Sequence, residues 1–580
     1  MPRILGAQDG DVLRGGMKSG RVLGSEACGC KSGPGCGCTG PGSVGALTPR
    51  APAKIGAQAG QSSTRRQASS FSLHDPGSGH PTTGKPLTQH SFDADGGDFT
   101  CNLGDWDVQG ADVGDFGQLD LVMLDFMTTY KIPNGALCVV QADGRLVYCK
   151  GFTLCSLLSS HGERIIRTNP HTRFRICSLS KVITAAATMA AVEDGNLGPD
   201  GVKGPVFYQN EFVHWVGSGW LSARDAEGDV SVPELRNVTI RNLLTMSGGW
   251  VEDADSYPVC PYAGPASPNW MPDNNDVFWA ELLNGGRTPI DAASIRLGMN
   301  AIHLTWDPQT GDHWTYNNYG WSLLGAVLTA ATGEDYATYA QERVWARIGA
   351  PDSQIGSTTT RAAREVRYYG ELFPDEISTD SSKGMAANVN APFDCWPDVS
   401  AGTPVDCRAT STCPHTEIPC GPAPYCGFRL ENSPSGSGWI SSVYDWALLM
   451  KDLFGSRSVV LSKESVTQML GGDAIPTDDY GNLQYYAWAE SGGALSKAGD
   501  LDGSIAWAYN AGRNGVIDLG SGLKAFGASN VFFFNRNNAA INSSVAPAPT
   551  AKQSFIALLQ ERIAELVESD RSTEDLWGEL

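Results

Sequence analysis

The residues whose types and spacing could do chemistry begin with a serine and a lysine three positions apart. Ser178 and Lys181 lie in the segment Phe174-Arg-Ile-Cys-Ser-Leu-Ser-Lys181, directly before an alanine-rich run. A serine hydroxyl is a poor nucleophile until a neighbour takes its proton, and a lysine can assist when burial or positive neighbours lower its pKa. On a helix this spacing places both side chains on one face. The pair predicts nucleophilic catalysis, although a serine at a helix start is ordinarily an N-cap.

Two further polar segments follow in chain order. Tyr316-Asn317-Asn318 lies in an aromatic stretch that runs into a predicted helix, and Lys497-Ala498-Gly499 precedes a predicted strand. Taken alone, Tyr316 is typical of an aromatic core residue and Lys497 of a solvated loop lysine. The order of the three motifs favours a functional interpretation of both, because order and context together outweigh any single short match.

With these motifs, the chain resembles the serine β-lactamase and penicillin-binding protein superfamily, and most closely the class C β-lactamases and the related esterases and D-amino-acid peptidases. That family carries Ser-x-x-Lys, Tyr-x-Asn and Lys-Thr-Gly (or His-x-Gly) in this order. Supporting strings are found at 132–140, 240–248 and 438–447. The resemblance covers roughly residues 115–545 and implies an α+β fold, in which an antiparallel sheet is flanked by helices and joined to a helical, loop-rich subdomain.

The resemblance also implies a role for each matching residue. Ser178 would attack a carbonyl and become acylated, Tyr316 would act as general base, and Lys181 would orient the hydroxyls and shuttle the proton. Lys181 and Lys497 near the phenol would favour its charged form. Asn318 would hydrogen-bond the acyl-side amide of the substrate, and Lys497 could grip a substrate carboxylate. No cofactor and no metal is implied for this site.

The third motif departs from the family pattern. The resemblance assigns the oxyanion hole to the backbone N–H groups of Ser178 and of a residue after Gly499, which we expect to be Asp500. The Asp500 carboxylate would repel a developing negative charge if it faced the site, but alternation along a strand allows it to point away. Ala498 replaces the usual threonine, whose hydroxyl often helps to bind a substrate carboxylate. An ester or amide substrate is therefore expected rather than a β-lactam antibiotic.

Other catalytic and binding patterns are absent or lack their context. The chain has no Gly-x-Ser-x-Gly elbow and no His-Glu-x-x-His motif, which argues against an α/β-hydrolase and a zinc protease. The string 79–85 resembles a phosphate-binding loop, but Pro86 stands where a serine or threonine should follow. The net charge of −21 argues against a general nucleic-acid binder. No apolar run approaches the roughly 18–20 residues of a transmembrane helix.

Hydrophobic patterns indicate the elements that must position these residues. Helices are predicted over 115–129, 183–193 and 554–568, and strands over 136–140, 146–148, 505–509 and 531–534. The dipeptide Asp143-Gly144 between the first two strands is a hairpin signal. A hairpin and a helix near one end, with strands and a helix near the other, predict an α+β layered core around a helical, loop-rich insertion.

Residues 1–95 differ in composition from the rest of the chain. The first 90 residues carry ten basic and four acidic side chains, and we expect a disordered tail because they offer little apolar surface for burial. The basic, hydroxyl-rich composition fits an organellar transit peptide, and the alternative is a non-conserved tail or a wrongly assigned start codon. Cys28, Cys30, Cys36 and Cys38 form a thiolate cluster that could hold zinc or copper(I), although their spacing is not that of a zinc knuckle.

A cysteine-rich insertion spans residues 395–426 within the predicted hydrolase domain, 96–580. It holds five cysteines among many prolines and glycines, and Cys260 would complete an even number. The even count and the lack of a Cys-x-x-Cys pair favour a disulfide-stapled loop. The alternative is a zinc site through Cys413, His415, Cys420 and Cys426. Disulfides and the sequons at Asn237 and Asn542 favour an oxidising compartment, which conflicts with the transit-peptide interpretation and leaves the localisation open.

These observations together predict a serine hydrolase that cleaves an ester or amide bond through a Ser178 acyl-enzyme. Its expected partner is a small-molecule or short-peptide substrate, with no nucleic acid and no membrane span. A non-catalytic binding protein on the same scaffold and a metal-binding protein acting through the cysteine clusters are the alternatives. The natural substrate, the final acyl acceptor and the oligomeric state stay open, because they depend on loops that the sequence does not place.

Overall fold

The computed structural model describes residues 106–155, 166–198, 200–203, 237–249, 313–350, 352–357, 361–368, 430, 433–472, 474–477, 482–501, 503–512, 526–537, 539–542 and 549–580. The predicted tail over 1–95, Cys260 and the cysteine-rich insertion 395–426 lie outside these residues, so the expectations for them stay predictions.

The described residues form strands, α-helices and short helical turns. The strands are β1 Trp106–Asp112, β2 Asn134–Val140, β3 Leu146–Leu154, β4 Phe174–Arg175, β5 Gln354–Ile355, β6 Trp439–Ser441, β7 Ile475–Pro476, β8 Leu483–Gln484, β9 Ala489–Ser491, β10 Ala494–Leu501, β11 Ser504–Gly512 and β12 Phe526–Phe534. The α-helices are α1 Leu119–Thr129, α2 Ser180–Glu193, α3 Ile240–Leu244, α4 Tyr319–Thr332, α5 Tyr336–Ala340, α6 Ala346–Ile348, α7 Val443–Phe454, α8 Lys463–Thr467, α9 Ala539–Asn542 and α10 Ala551–Ser569. The 3-10 turns are Gly114–Gln118, Cys177–Leu179 and Gly201–Lys203, and the π turns are Gln341–Trp345 and Gln468–Gly472. None of these helices combines the length and apolar character that crossing a bilayer requires.

A nine-stranded antiparallel sheet joins strands from both ends of the described chain. Its order is β1-β3-β2-β12-β11-β10-β9-β8-β7. β12 pairs with β2, where Val531 lies opposite Cys138. β10 pairs with β11 along most of its length, whereas β9 pairs only with the start of β10, up to Ser496. From Lys497 onward, β9 therefore leaves that edge of β10 uncovered.

β2 and β3 form the predicted hairpin and carry a disulfide that the sequence reasoning missed. Cys138 lies opposite Cys149 in the register, and the two cysteines are bonded and fully buried. The predicted disulfides lay in the insertion instead. A turn centred between Asp143 and Gly144 brings residues equally distant from it opposite each other, and these two cysteines are equally distant. The position of the predicted turn was therefore a signal from which this pairing could have been found.

Aromatic side chains pack against both faces of the sheet. On one face, Phe126 of α1 and Phe555 of α10 stack with ring centroids 4.2 Å apart, and both contact Phe534 of β12. The neighbouring Phe533 contacts Phe174 of β4. Because side chains alternate across a strand, Phe533 points to the opposite face. The fold class is α+β as predicted, and β4, which leads into Ser178, lies on the second face.

A three-stranded sheet, in the order β4-β6-β5, supports the segment that carries the predicted nucleophile. Phe174 of β4 pairs with Ser441 of β6, and Gln354 of β5 pairs with Ile440. The backbone N–H of Trp439 in β6 donates to Ser180 Oγ at 3.2 Å. The start of α2 is therefore bonded to a strand that lies far away in the sequence.

The start of α2 differs from the prediction. The helix begins at Ser180 rather than at Ile183. Its N-cap is Leu179, which makes no side-chain capping bond. Sequence reasoning locates helix starts from polar caps, and that signal is missing here because tertiary hydrogen bonds hold the first turn instead.

Candidate active site

Ser178 lies in a 3-10 turn whose backbone begins in an uncommon conformation. The turn Cys177–Leu179 directly precedes α2, and Cys177 has a φ of 52°. A non-glycine residue in the left-handed region costs about 1–2 kcal/mol, so the surrounding structure must hold it. Cys177 is fully buried and its thiol lies 3.7 Å from the carbonyl oxygen of Arg175. The structure therefore places Cys177 as a buried packing residue.

The Ser178 hydroxyl contacts the other two candidate catalytic groups. Ser178 Oγ lies 2.6 Å from Tyr316 Oη and accepts a hydrogen bond from Lys181 Nζ at 3.1 Å. The structural interpretation of Ser178 as a helix cap is wrong, because its oxygen is bonded to these side chains and α2 has no side-chain cap. A proton can pass directly between the serine and tyrosine oxygens at this distance.

Lys181 is completely buried and is held by acceptors from three parts of the chain. Besides Ser178, its ammonium donates to Asn318 Oδ1 at 2.6 Å and to the carbonyl oxygen of Gly436 at 3.0 Å. A buried ammonium without such acceptors would be strongly destabilising. The sequence reasoning assigned Asn318 to the substrate, and here its amide oxygen faces Lys181. It missed Gly436 altogether, because a loop carbonyl leaves no signal in residue type or spacing.

Lys497 approaches Tyr316 from the sheet side. The ammonium groups of Lys181 and Lys497 lie 5.2 Å and 5.6 Å from the centroid of the Tyr316 ring. Burial, and secondarily the charge of Lys181, hold the pKa of Lys497 well below its usual range. Among the described residues, no carboxylate or other acceptor is hydrogen-bonded to Lys497 Nζ. The tyrosine is therefore flanked by two buried lysines.

Gly499 lies directly against the nucleophile turn. A Cβ atom at this position would stand 2.2 Å from the carbonyl oxygen of Ile176 and 3.1 Å from the backbone nitrogen of Ser178. Atoms at the first distance overlap, so only glycine lets β10 approach the turn this closely. The approach brings the backbone of β10 beside the Ser178 N–H, where the sequence predicts an oxyanion hole.

The Asp500 side chain is engaged away from Ser178. Its carboxylate accepts a hydrogen bond from Lys552 Nζ at 2.8 Å. Lys552 belongs to α10, the helix that packs on the far face of the sheet. Alternation along β10 agrees, since Lys497 and Gly499 are buried while Asp500 is half-buried. The carboxylate therefore does not face the nucleophile, and the backbone N–H of Asp500 stays the candidate donor.

Among the residues that the structure describes, no group of three or more His, Cys, Asp or Glu side chains is placed to hold a metal ion. The site is built instead from hydroxyl, amine and amide groups. The cysteine clusters proposed as metal ligands from the sequence lie outside the described ranges.

One family model matches most of the chain. The family model described as "Beta-lactamase" matches residues 119–539. A lovastatin esterase from Penicillium rubens is 26% identical over 246 residues, which are 42% of this chain and 54% of that protein. The match thus spans about half the length of this curated relative.

Solved structures were also matched. A penicillin-binding protein homologue from Pyrococcus abyssi is 17% identical with a TM-score of 0.44, over 77% of this chain and 78% of that one. A D-amino acid amidase from Ochrobactrum anthropi is 15% identical with a TM-score of 0.46, over 77% of this chain and 99% of that one. The family match includes Ser178, Lys181, Tyr316, Asn318 and Lys497. With an antiparallel sheet flanked by helices and most of its length matched, the chain belongs to the beta-lactamase family.

Proposed function

We propose that the protein is a serine hydrolase that cleaves an ester or amide bond through an acyl-enzyme on Ser178. The observation that carries the proposal is the contact of Ser178 Oγ with both Tyr316 Oη, at 2.6 Å, and Lys181 Nζ, at 3.1 Å. A serine needs a partner that takes its proton, and in the part of the chain that the structure describes both groups are within hydrogen-bonding distance of Ser178 Oγ.

In the acylation step, Tyr316 in its phenolate form accepts the proton of Ser178 Oγ. The electron pair left on Ser178 Oγ forms a bond to the substrate carbonyl carbon, and the π electrons of the carbonyl move to the carbonyl oxygen. The N–H groups of Ser178 and Asp500 would stabilise this oxyanion. When the carbonyl reforms, the bond to the leaving group breaks, and the leaving oxygen or nitrogen takes the proton from Tyr316. Lys181 holds the hydroxyls in position for both transfers.

Deacylation reverses these roles with a second acceptor. A water molecule gives a proton to Tyr316 and attacks the acyl carbon of the ester on Ser178. Collapse of the second oxyanion releases a carboxylic acid, and Ser178 Oγ recovers the proton from Tyr316. An alcohol or amine in place of water would give acyl transfer by the same steps.

Two features support an ester or amide rather than a β-lactam as the substrate. Ala498 lacks the hydroxyl that the family's third motif usually supplies. The curated relative is an esterase.

Lys497, buried and without an acceptor among the described residues, supports a substrate that carries a negative group beside the reacting carbonyl. The resemblance to the family assigns Asn318 to the acyl-side amide of the substrate.

Intact-mass measurement after incubation with a penicillin, an activated short-chain ester and a fluorophosphonate tests the proposal. We expect an adduct on the wild-type protein and none on Ser178→Ala. Ser180→Ala is the matched control, because Ser180 lies on the same segment and its hydroxyl accepts from Trp439 rather than from the site. A folded wild-type protein without any adduct, or an adduct that persists in Ser178→Ala, would contradict the proposal. The first result would favour a binding protein on this scaffold.

A further inference from the structure

Two side chains of α2 donate hydrogen bonds to the loop that supplies the Gly436 carbonyl. Ser435 and Gly436 present consecutive carbonyl oxygens to this helix. The Ser435 oxygen accepts from Thr184 Oγ1 at 2.7 Å, and the Gly436 oxygen accepts from Lys181 Nζ at 3.0 Å. Lys181 and Thr184 are three residues apart, which places them one above the other on the helix surface. The two bonds therefore fix neighbouring peptide units of the same loop.

The Thr184 hydroxyl is the last member of a directional hydrogen-bond chain. Trp439 Nε1 donates to Tyr336 Oη at 3.0 Å, and Tyr336 Oη lies 2.6 Å from Thr184 Oγ1. An indole N–H can only donate, so the tyrosine proton is directed to Thr184. Burial raises the pKa of Tyr336, which keeps that proton in place. The Thr184 proton is then directed to the Ser435 oxygen, at 2.7 Å, since the Ser180 oxygen is more distant at 3.2 Å.

The loop that carries these two carbonyls also packs closely against α4. Ser435 Oγ donates to the Trp321 oxygen of α4 at 2.8 Å. A Cβ atom on Gly325 of α4 would stand 2.4 Å from Ser435 Oγ, and one on Gly436 would stand 2.6 Å from Ser433 Oγ. The loop is therefore packed tightly on α4, while the Thr184 hydroxyl ties its other side to α2.

We propose that Thr184 is a positioning residue that holds the Gly436 carbonyl against Lys181 and thereby sets the proton affinity of that lysine. A carbonyl that accepts from an ammonium favours its charged form, so a displaced carbonyl lowers the lysine pKa. The catalytic consequence rests on the proposed function, in which protonated Lys181 orients Ser178 and Tyr316. The effect on the lysine itself does not depend on turnover.

Thr184→Val tests the inference because valine keeps the shape and removes the hydroxyl. We expect the titration of Lys181, followed by NMR of protein labelled with ¹³C at lysine Cε and assigned with Lys181→Met, to move down by about one pH unit. The alkaline limb of kcat/KM for an activated ester should move in the same direction. Thr184→Ser, which restores the hydroxyl, should return both to wild-type values.

Thr188→Val is the matched control. Thr188 is also fully buried on α2, and its hydroxyl donates to the Thr184 carbonyl of the same helix at 2.7 Å. We expect it to leave the Lys181 titration unchanged. Equal titration in wild type and Thr184→Val, or equal shifts in both valine variants, would overturn the inference. Failure of the proposed function would look different: wild-type protein would form no Ser178 adduct while the Lys181 titration still shifted in Thr184→Val.

Discussion

The two lysines beside Tyr316 occupy contrasting surroundings. On the helical side, Lys181 is surrounded by acceptors from Ser178, Asn318 and Gly436. On the sheet side, Lys497 is 7% exposed, and its described contact is the face of the Tyr316 ring. A buried charge whose hydrogen bonds are satisfied within the protein is tolerated, whereas a buried charge without acceptors destabilises the fold unless an anion pairs with it. This difference supports the proposal that Lys181 belongs to the catalytic machinery and that Lys497 contacts the substrate.

The largest effect on activity should come from replacing Lys181, the lysine whose ammonium has hydrogen-bond acceptors. Lys181→Met keeps the Ser178 and Tyr316 side chains but removes the ammonium that donates to Ser178 Oγ and that we propose positions it. We therefore expect ester turnover and the rate of fluorophosphonate labelling to fall about 10³-fold. Rates of fluorophosphonate labelling would measure the effect, with circular dichroism to confirm folding. Lys181→Arg keeps the charge with different donor geometry and should recover little. Labelling of a folded Lys181→Met protein at the wild-type rate would remove Lys181 from the machinery.

A methyl group added to β10 at Gly499 should displace the Ser178 turn by steric contact. In Gly499→Ala, the added Cβ would overlap the Ile176 carbonyl and push the Ser178 turn away from β10. We expect a loss of about 10²-fold in kcat with little change in KM, since misplacement of the nucleophile affects the chemical step. Ala498→Gly is the control at the adjacent position. Wild-type kcat in a folded Gly499→Ala protein would show that the close approach is not needed.

A smaller and selective effect should follow from removing Lys497. In Lys497→Met, we expect the ratio of kcat/KM for a carboxylate-bearing ester to that for its neutral analogue to fall about 10-fold or more, because a charge-assisted hydrogen bond is lost. Taking the ratio cancels any common effect on Tyr316. Lys552→Met is the matched control, since it removes one lysine that is bonded to Asp500 of the same strand. An unchanged ratio would separate Lys497 from substrate recognition.

The smallest effect should be a pH-dependent change in stability. The pKa of Lys497 is held well below its ordinary value of 10.5 in the folded protein. Between the two values the unfolded chain binds more protons, so Lys497 destabilises the fold fully below its folded pKa and progressively less as pH rises towards 10.5. Lys497→Met should therefore raise Tm at neutral pH, and the gain should vanish near pH 10.5. A gain that is constant across this range would argue against an uncompensated charge.

The elements of the core were predictable where the pattern was local. The hairpin at Asp143–Gly144 and the helix predicted over 554–568 appear as β2–β3 and α10. The start of α2 was placed too late, because the bond from Trp439 to Ser180 comes from a strand far along the chain. The Cys138–Cys149 disulfide was missed, because no register was assigned to the predicted hairpin. Local periodicity identifies elements, while their ends depend on partners elsewhere.

The sequence by itself determined the residue types of the site and their order. Ser178 and Lys181 were singled out by residue type and spacing, because a serine nucleophile needs a neighbour that takes its proton. The resemblance to the family then implied the roles of Tyr316, Asn318 and Lys497. The sequence also determined the α+β class through its patterns of apolar residues.

Only the tertiary structure decided which of these groups touch and which partners hold them. It set Asn318 against Lys181, turned the Asp500 carboxylate to Lys552, and brought in the Gly436 carbonyl and the Thr184 hydroxyl. These contacts join positions up to hundreds of residues apart, and several use backbone atoms that every residue type carries. A sequence pattern records side-chain identity, whereas hydrogen bonding in the site depends on where the packed elements place each atom.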